Sequence, residues 1–502
     1  MFSCSEFKHD YCKSYFKYEE PVSTDFRVLI NGREVPVYTC RISKYPFNRV
    51  WPGFQRPVDQ TEIVSFVNIV SDEELRLEVL TDLPLDRVLI KPYSKGICHQ
   101  EGEGRISFTL KENGQYVLEC GSYHHCLYIF NSKPIPAPQP DEVTHFFGPG
   151  IHFPGKIRLH DNESVYVDKD ALVYGCIYAE DAKNIHIFGN GVLDDSHEER
   201  TGNYCYEDYT NGNVKFYDCE NLRIQGVLLK NSAIWCVNLF HCFDVDIDDI
   251  KVFGQWRYNT DGIDIVNSQN IYIRNSFIHS FDDTITIKGI DRYIETNNEN
   301  IHTENCVLWC DWGKCCEVGV ETSCRAYRNI SFRNCDILRG GSAALDINNG
   351  ECADITDVVY ENIRIEMNDF DTREQYQNTD EMVYSLERSA AHPDILRIDN
   401  GYWRTEECRT LWNLPEFPRD YDLTGVRIRN ISNVLVKDIQ IFYDRGLPTT
   451  DGKPNVVLRV KSQLEETPAT DIQIENIIIN GIRAKKEDLI WDLKNVKNLM
   501  ID

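Results

Sequence analysis

The chain alternates apolar and polar residues in two different ways, and the change from one to the other divides it. Up to about residue 145 the alternation comes in separate short runs, such as Phe26-Arg-Val-Leu-Ile30, Leu75-Arg-Leu-Glu-Val79 and Arg105-Ile-Ser-Phe-Thr-Leu110. Every second side chain of such a run falls on one face of a strand. Asn31-Gly32 and Asn113-Gly114 are turn signals that join the runs, which predicts an antiparallel β-sandwich. The Pro-rich Lys133-Pro-Ile-Pro-Ala-Pro-Gln-Pro140 reads as a linker, so a sandwich domain is expected over 1–140.

Beyond the linker the alternation becomes periodic. Asn or Asp opens a short apolar alternation at Asn184-Ile-His-Ile, Asn221-Leu-Arg-Ile, Asp244-Val-Asp-Ile, Asn270-Ile-Tyr-Ile, Asn329-Ile-Ser-Phe and Asp357-Val-Val-Tyr. The pattern returns at Asn433-Val-Leu-Val, Asp471-Ile-Gln-Ile and Asn498-Leu-Met-Ile. Four of the eight steps between starts are 23 to 28 residues, and the others are longer where a copy is degenerate. Period-2 strands inside a repeat of this length predict a β-solenoid whose stacked coils share one core. A leucine-rich repeat has similar periods, but its leucine scaffold is missing. The fold expected is all-β: a right-handed parallel β-helix over 141–502, with first coils in about 150–183, preceded by the sandwich. A non-repetitive insertion over 367–426 holds Tyr376, Tyr384, Tyr402, Trp403 and Trp412. It reads either as a functional excursion or as a packed or oligomer-contact segment.

Registering the coils brings carboxylates together. Stacked strands lie about 4.8 Å apart, and the inward pairs Ile263/Ile265, Ile285/Ile287, Cys316/Val318 and Leu345/Ile347 set the register. Between them, Asp264, Thr286, Glu317 and Asp346 must point away from the core, while Asp261, Asp283 and Lys314 form a second column with Asp282 beside it. The expected result is a mainly acidic patch on one outer face. Neighbouring carboxylates push one pKa up, giving a protonated acid beside an ionised base, as glycosidic cleavage requires. Lys314 is placed to keep one of them ionised. Trp256, Arg257 and Trp312 flank the columns as candidate substrate contacts, with loop packing as the other reading. Lys288 lies on the same face as Asp264 and either touches substrate or forms a salt bridge. His241 and His279 read as structural.

Charge and cysteine content narrow the class. The formal charge of −27 argues against nucleic acid and anionic membranes as partners. No stretch approaches a membrane span or a signal peptide, and the 19 cysteines contain no CxxC pair. Reduced core thiols and a cytoplasmic location are therefore expected, with no metal and no cofactor. Cys315-Cys316 lacks a partner pair at zinc spacing.

Asn259-Thr-Asp-Gly-Ile-Asp264 with Asp282-Asp283, on a parallel β-helix, resembles glycoside hydrolase family 28, the polygalacturonases, and Gly189-Asn-Gly-Val-Leu-Asp194 is similar to that family's early coil. The resemblance implies an inverting hydrolase in which Asp282 donates the proton and Asp261 and Asp283 hold the water. Two departures are informative. The family's Gly-His-Gly falls at Gly313-Lys314-Cys315, and its Arg-Ile-Lys, which clamps a uronate, falls at Asp346-Ile347-Asn348. An acid in place of a basic clamp favours a neutral sugar, bound through carboxylates such as Glu317, Asp346 and Glu321. A sandwich ahead of the β-helix is similar in architecture to the dextranases of glycoside hydrolase family 49.

The expected function is thus exo-acting, inverting hydrolysis of short, imported neutral oligosaccharides. The alternatives are a uronate-acting polygalacturonase or lyase, and a non-catalytic carbohydrate-binding solenoid. Oligomeric state is not legible in the sequence.

Overall fold

The computed structural model describes residues 22–44, 47–48, 58, 61–200, 212–351, 353–367, 376–377, 393–401, 430–444, 449–450 and 452–502. Two five-stranded sheets face each other in the N-terminal part. One runs in the order Arg33–Val35, Arg27–Ile30, Leu75–Leu80, Arg105–Leu110, His99–Gly102; the other runs Tyr38–Ser43, Thr61–Val70, Ser122–Ser132, Gly114–Cys120, Val88–Lys91. Val28, Leu77 and Ile106 of the first sheet and Leu118, Leu127 and Ile129 of the second share a buried core. The expected antiparallel sandwich holds, with one parallel pairing between Thr61–Val70 and Ser122–Ser132.

The two turn signals behave differently. Asn31 and Gly32 both take positive φ, 49° and 78°, and close a tight hairpin. Asn113-Gly114 instead carries the chain from one sheet to the other, because Arg105–Leu110 and Gly114–Cys120 do not pair. The dipeptide sets a bend, and the burial of both flanking strands decides that the bend crosses the sandwich.

A 30-stranded sheet then winds from His145–Phe147 to Val496–Ile501, parallel from coil to coil apart from a short antiparallel return at Ile482–Arg483. The repeat has a local cause. Asn184, Asn221, Asp244, Asn270, Asn329, Asp357, Asn433, Asp471 and Asn498 all hold φ between 51° and 60°. Asn and Asp tolerate this left-handed conformation better than other side chains. Their amides also stack: Asn270 Nδ2 donates to Asp244 Oδ1 at 2.8 Å, and Asn329 Nδ2 donates to Asn300 Oδ1 at 2.8 Å. Asn300, with φ 57°, supplies the coil between 270 and 329 that the sequence pattern passes over. Its alternation ends in Thr303 where the other copies carry an apolar residue.

The segment 367–426 is not wholly an excursion. Asp394–Asn400 is a β-helix strand that pairs with Ala343–Asn349 on one side and Val457–Ser462 on the other. Side chains at Tyr376, and everything at Tyr384, Tyr402, Trp403 and Trp412, lie outside the described residues.

The sandwich and the β-helix share a core. Phe66, Tyr128 and Phe130 pack against Phe253, Phe277, Trp309 and Leu338. Tyr128 Oη lies 2.8 Å from His279 Nδ1, and His279 Nε2 lies 2.9 Å from Asp311 Oδ1. This fully buried histidine joins the two parts, and His241 bonds to Asp218 and Thr296 at the helix edge.

Candidate active site

The strands Val237–Phe240, Ile263–Val266, Ile285–Gly289, Lys314–Thr322, Ala343–Asn349 and Asp394–Asn400 stack in register. Ile263, Ile285, Cys316 and Leu345 point into the core, and so do Ile265, Ile287, Val318 and Ile347. Asp264, Thr286, Glu317 and Asp346 therefore form one column, and Arg397 continues it in the next coil.

Asp261, Asp282 and Asp283 come from the turns just before these strands. The Gly262 amide donates to the Asp283 carbonyl at 2.8 Å and the Thr284 amide to the Lys314 carbonyl at 2.8 Å, which stacks the turns directly. Two glycines permit this closeness. A Cβ on Gly262 would fall 2.3 Å from the Thr284 carbonyl oxygen, and one on Gly313 would fall 2.4 Å from Asp283 Oδ1 and 2.6 Å from Asp282 Oδ1. Asp282 and Asp283 thus both face the Cα of Gly313.

The face is not the open acidic patch expected. Asp264, Glu317 and Asp346 have no exposed surface, and Asp261, Asp282, Asp283 and Lys288 are nearly as buried. Buried carboxylates need counter-charges, and three cations supply them. Lys288 Nζ lies 2.9 Å from Asp261 Oδ2, 2.8 Å from Asp264 Oδ1 and 4.0 Å from Asp283 Oδ2, with the Trp235 ring centroid 3.8 Å away. Lys314 Nζ lies 3.1 Å from Asp283 Oδ1 and 2.8 Å from Glu317 Oε1. Arg397 Nε donates to Asp346 Oδ1.

This lattice separates the pair Asp282-Asp283 electrostatically. Burial, together with the charges of Asp261 and Asp283, pushes the Asp282 carboxyl well above the usual range. Burial also raises Asp283, but Lys314 and Lys288 outweigh it and hold that carboxylate at about 2. Burial pushes Asp261 up to about 6 against the pull of Lys288. Burial likewise lifts Asp264 and Glu317 well above normal, so these two take protons readily. A neutral acid therefore sits directly beside a firmly ionised carboxylate.

The flanking candidates divide. Arg257 is buried and donates to the Glu198 and Ser196 carbonyls at 3.2 and 3.3 Å, and its guanidinium lies 5.4 Å from the Trp256 ring. Arg257 thus holds the 196–198 turn against the β-helix, and both residues are buried. Trp312 is half-buried, stacks on Phe281 at 5.5 Å and meets Tyr258 at 5.9 Å. Glu321 is half-buried, with Oε2 enclosed and accepting no hydrogen bond.

Sequence reasoning passed over two arginines and gave no separate role to an asparagine. Arg200 donates to the Tyr258 carbonyl at 3.0 Å and to Asn259 Oδ1 at 3.1 Å; Asn259 Nδ2 then lies 3.3 Å from Asp282 Oδ2. Nothing local in the sequence marks Arg200. Arg397 was legible, since Leu396 and Ile398 repeat the spacing of Leu345 and Ile347, but it falls inside the stretch that looks non-repetitive. A separate group of possible metal-binding donors, Cys176, Asp195 and Glu198, lies apart from the carboxylate lattice in sequence, with Glu198 in the turn that Arg257 holds.

Residues 142–380, which include every carboxylate of the lattice, match the family model described as Glycosyl hydrolases family 28. A probable rhamnogalacturonase A from Aspergillus oryzae is 23% identical over 149 residues, covering 30% of each chain. A probable exopolygalacturonase B from Aspergillus fumigatus is 23% identical over 215 residues, covering 37% of this chain and 44% of that one. The chain thus spans between about a third and under half the length of these curated relatives. Dex49A from Penicillium minioluteum shares the fold over 95% of both chains, with a TM-score of 0.60 and 13% identity. The β-helix is thus similar to the family 28 model over 142–380, and the two-part architecture is shared with Dex49A.

Proposed function

We propose that this protein hydrolyses a glycosidic bond with inversion, using Asp282 as general acid and Asp261 with Asp283 to orient the attacking water. The observation that supports this most directly is the split between neighbours: Asp282 raised well above a normal carboxyl, Asp283 held at about 2. The acid protonates the leaving oxygen while the ionised partner accepts the proton of water. Lys288 and Lys314 keep the water-holding side anionic, and Asn259 fixes one oxygen of the acid. Half-exposed Trp312 offers a face for a sugar ring.

The substrate we infer is a short neutral oligosaccharide, cleaved from one end. Each cation of the lattice already faces a carboxylate: Lys288 three, Lys314 two, Arg397 one. A uronate would bring one more anion to a site with no spare positive charge. The described cysteines are thiols, which supports action in a reducing compartment. A second reading, hydrolysis of uronates, is favoured by the names of the matched relatives, a rhamnogalacturonase and an exopolygalacturonase. The test is a screen of the purified protein on neutral and uronic oligosaccharides, with NMR of the first anomer and a time course of product size. An inverted anomer and one short product from a neutral chain support the proposal. A retained anomer, early midchain scission, or preference for galacturonans each removes one part of it.

A further inference from the structure

Arg397 stands where the register brings a guanidinium into the acidic column, one coil beyond Asp346. Its side chain is 23% exposed, whereas that of Asp346 is completely covered, and the two are hydrogen-bonded. The strand of Asp346 carries two buried acceptors that no donor among the described residues reaches, Asp346 Oδ2 and Asn348 Oδ1. Asp399, the partner of Asn348 in the next coil, adds another carboxyl, which burial pushes up to about 6 despite Arg397. Buried acceptors without donors are unfavourable and are relieved by ligand hydroxyls, not by a carboxylate. Arg397 alone would have the opposite preference, since a guanidinium is the usual partner of a carboxylate.

We propose that Asp346 and Arg397 form a charge filter: Asp346 neutralises Arg397, so that this end of the site takes uncharged sugar rings by their hydroxyls and rejects uronates. The inference rests on the neutral-substrate reading above and assigns it to one residue pair. Its consequence is specific. Neutralising Asp346 releases a guanidinium already in place, and the site gains affinity for a uronate without any basic residue being introduced.

The experiment uses trigalacturonate and its fully methyl-esterified form, which differ in charge but not in ring stereochemistry. Calorimetric titration of the natural chain, Asp346→Asn, Asp346→Ser, Arg397→Gln and the double variant Asp346→Asn/Arg397→Gln reads the effect. Trigalacturonate binding should strengthen by about tenfold or more, or first become measurable, in the Asp346 variants, and should weaken with salt. Binding of the ester should change much less. The gain should vanish in the double variant, and Arg397→Gln alone should show none. Two Asp346 variants are used, each checked by thermal melting, so that one folding failure does not decide the matter. No gain in a folded Asp346 variant, or a gain that survives loss of Arg397, overturns the filter. A natural chain that prefers trigalacturonate to its ester would instead count against the neutral-substrate reading, whatever the variants do.

Discussion

At the scale of single residues, the site depends on giving two adjacent carboxylates opposite protonation. Asp282→Asn removes the acid but keeps its shape and its contact with Asn259, so kcat should fall at least about a thousandfold while the melting temperature hardly moves. A variant as active as the natural protein would disprove the assignment. The pH profile follows from the same charges. The water-holding pair must be ionised, so activity should fall as pH drops through about 6, where Asp261 takes up a proton. It should persist on the alkaline side beyond the usual carboxyl range, until Asp282 loses its own proton. Lys314 lowers the pKa of both Asp283 and Asp261. Lys314→Met should therefore move the acidic limb to higher pH, and a limb that stays put or moves down would show that Lys314 does not tune the pair. The column itself was legible in the sequence, because period-2 alternation decides which side chains leave the core. Its burial was not, because enclosure depends on segments far away along the chain. Lys288 illustrates the gap: its place on the column follows from spacing, but its role as counter-ion to Asp261, Asp264 and Asp283 appears only in three dimensions.

At the scale of the element, the coil is held together by its corners. The Asn or Asp that opens each alternation was visible as a repeat, and the left-handed turn with a stacked amide explains it. Asn270 tests both contributions, since it holds φ 59°, donates to Asp244 and accepts from Asn300. Asn270→Gly keeps the turn but loses two hydrogen bonds of about 1 kcal/mol each. Asn270→Ala loses those bonds and also places a Cβ in the left-handed region, for roughly a further 1 kcal/mol. Urea unfolding should rank the natural protein above Gly and Gly above Ala; equal stability of Gly and Ala would show that turn geometry contributes nothing. The strand Asp394–Asn400 was missed for a related reason. It stacks on Ala343–Asn349 in a column whose strands carry no opening Asn corner of the recurring type, and the next corner, Asn433, lies 76 residues after Asp357, so the repeat seemed to lapse at the point where Arg397 enters the column.

At the scale of the whole molecule, the sandwich behaves as part of the β-helix. The strands Phe277–Ser280 and Val307–Cys310 are buried on both faces, which the apolar run Val307-Leu-Trp-Cys310 already suggests for the second. Phe277 and Trp309 face the sandwich, while Ile278 and Leu308 face the solenoid core. Charge locks the contact as well. Arg339 NH1 lies 2.8 Å from Glu119 Oε1, and Lys91 Nζ lies 3.7 Å from Glu119 Oε1 and 3.4 Å from Glu366 Oε2, all of them buried. Burial would raise the Glu119 pKa, but Arg339 and Lys91 together hold it below the ordinary glutamate value. A carboxyl lowered in this way stabilises the fold above its unfolded pKa, and that stability is lost as pH falls through the folded value. Arg339→Ala removes the closest cation from Glu119 and leaves the longer Lys91 contact, and removing one partner of a buried pair costs about 3–5 kcal/mol. Because the core is shared, the loss should appear in the whole chain. Calorimetry of the natural protein should show the sandwich and β-helix melting in one endotherm, which Arg339→Ala moves down as a unit. The acid-induced loss of stability due to Glu119 should also be smaller in the variant, since without Arg339 burial raises the folded pKa of Glu119 toward or past its unfolded value and the difference that drives the loss shrinks. Two endotherms in the natural chain, with Arg339→Ala lowering only one, would show that the two parts are independent and that the shared cluster does not couple them.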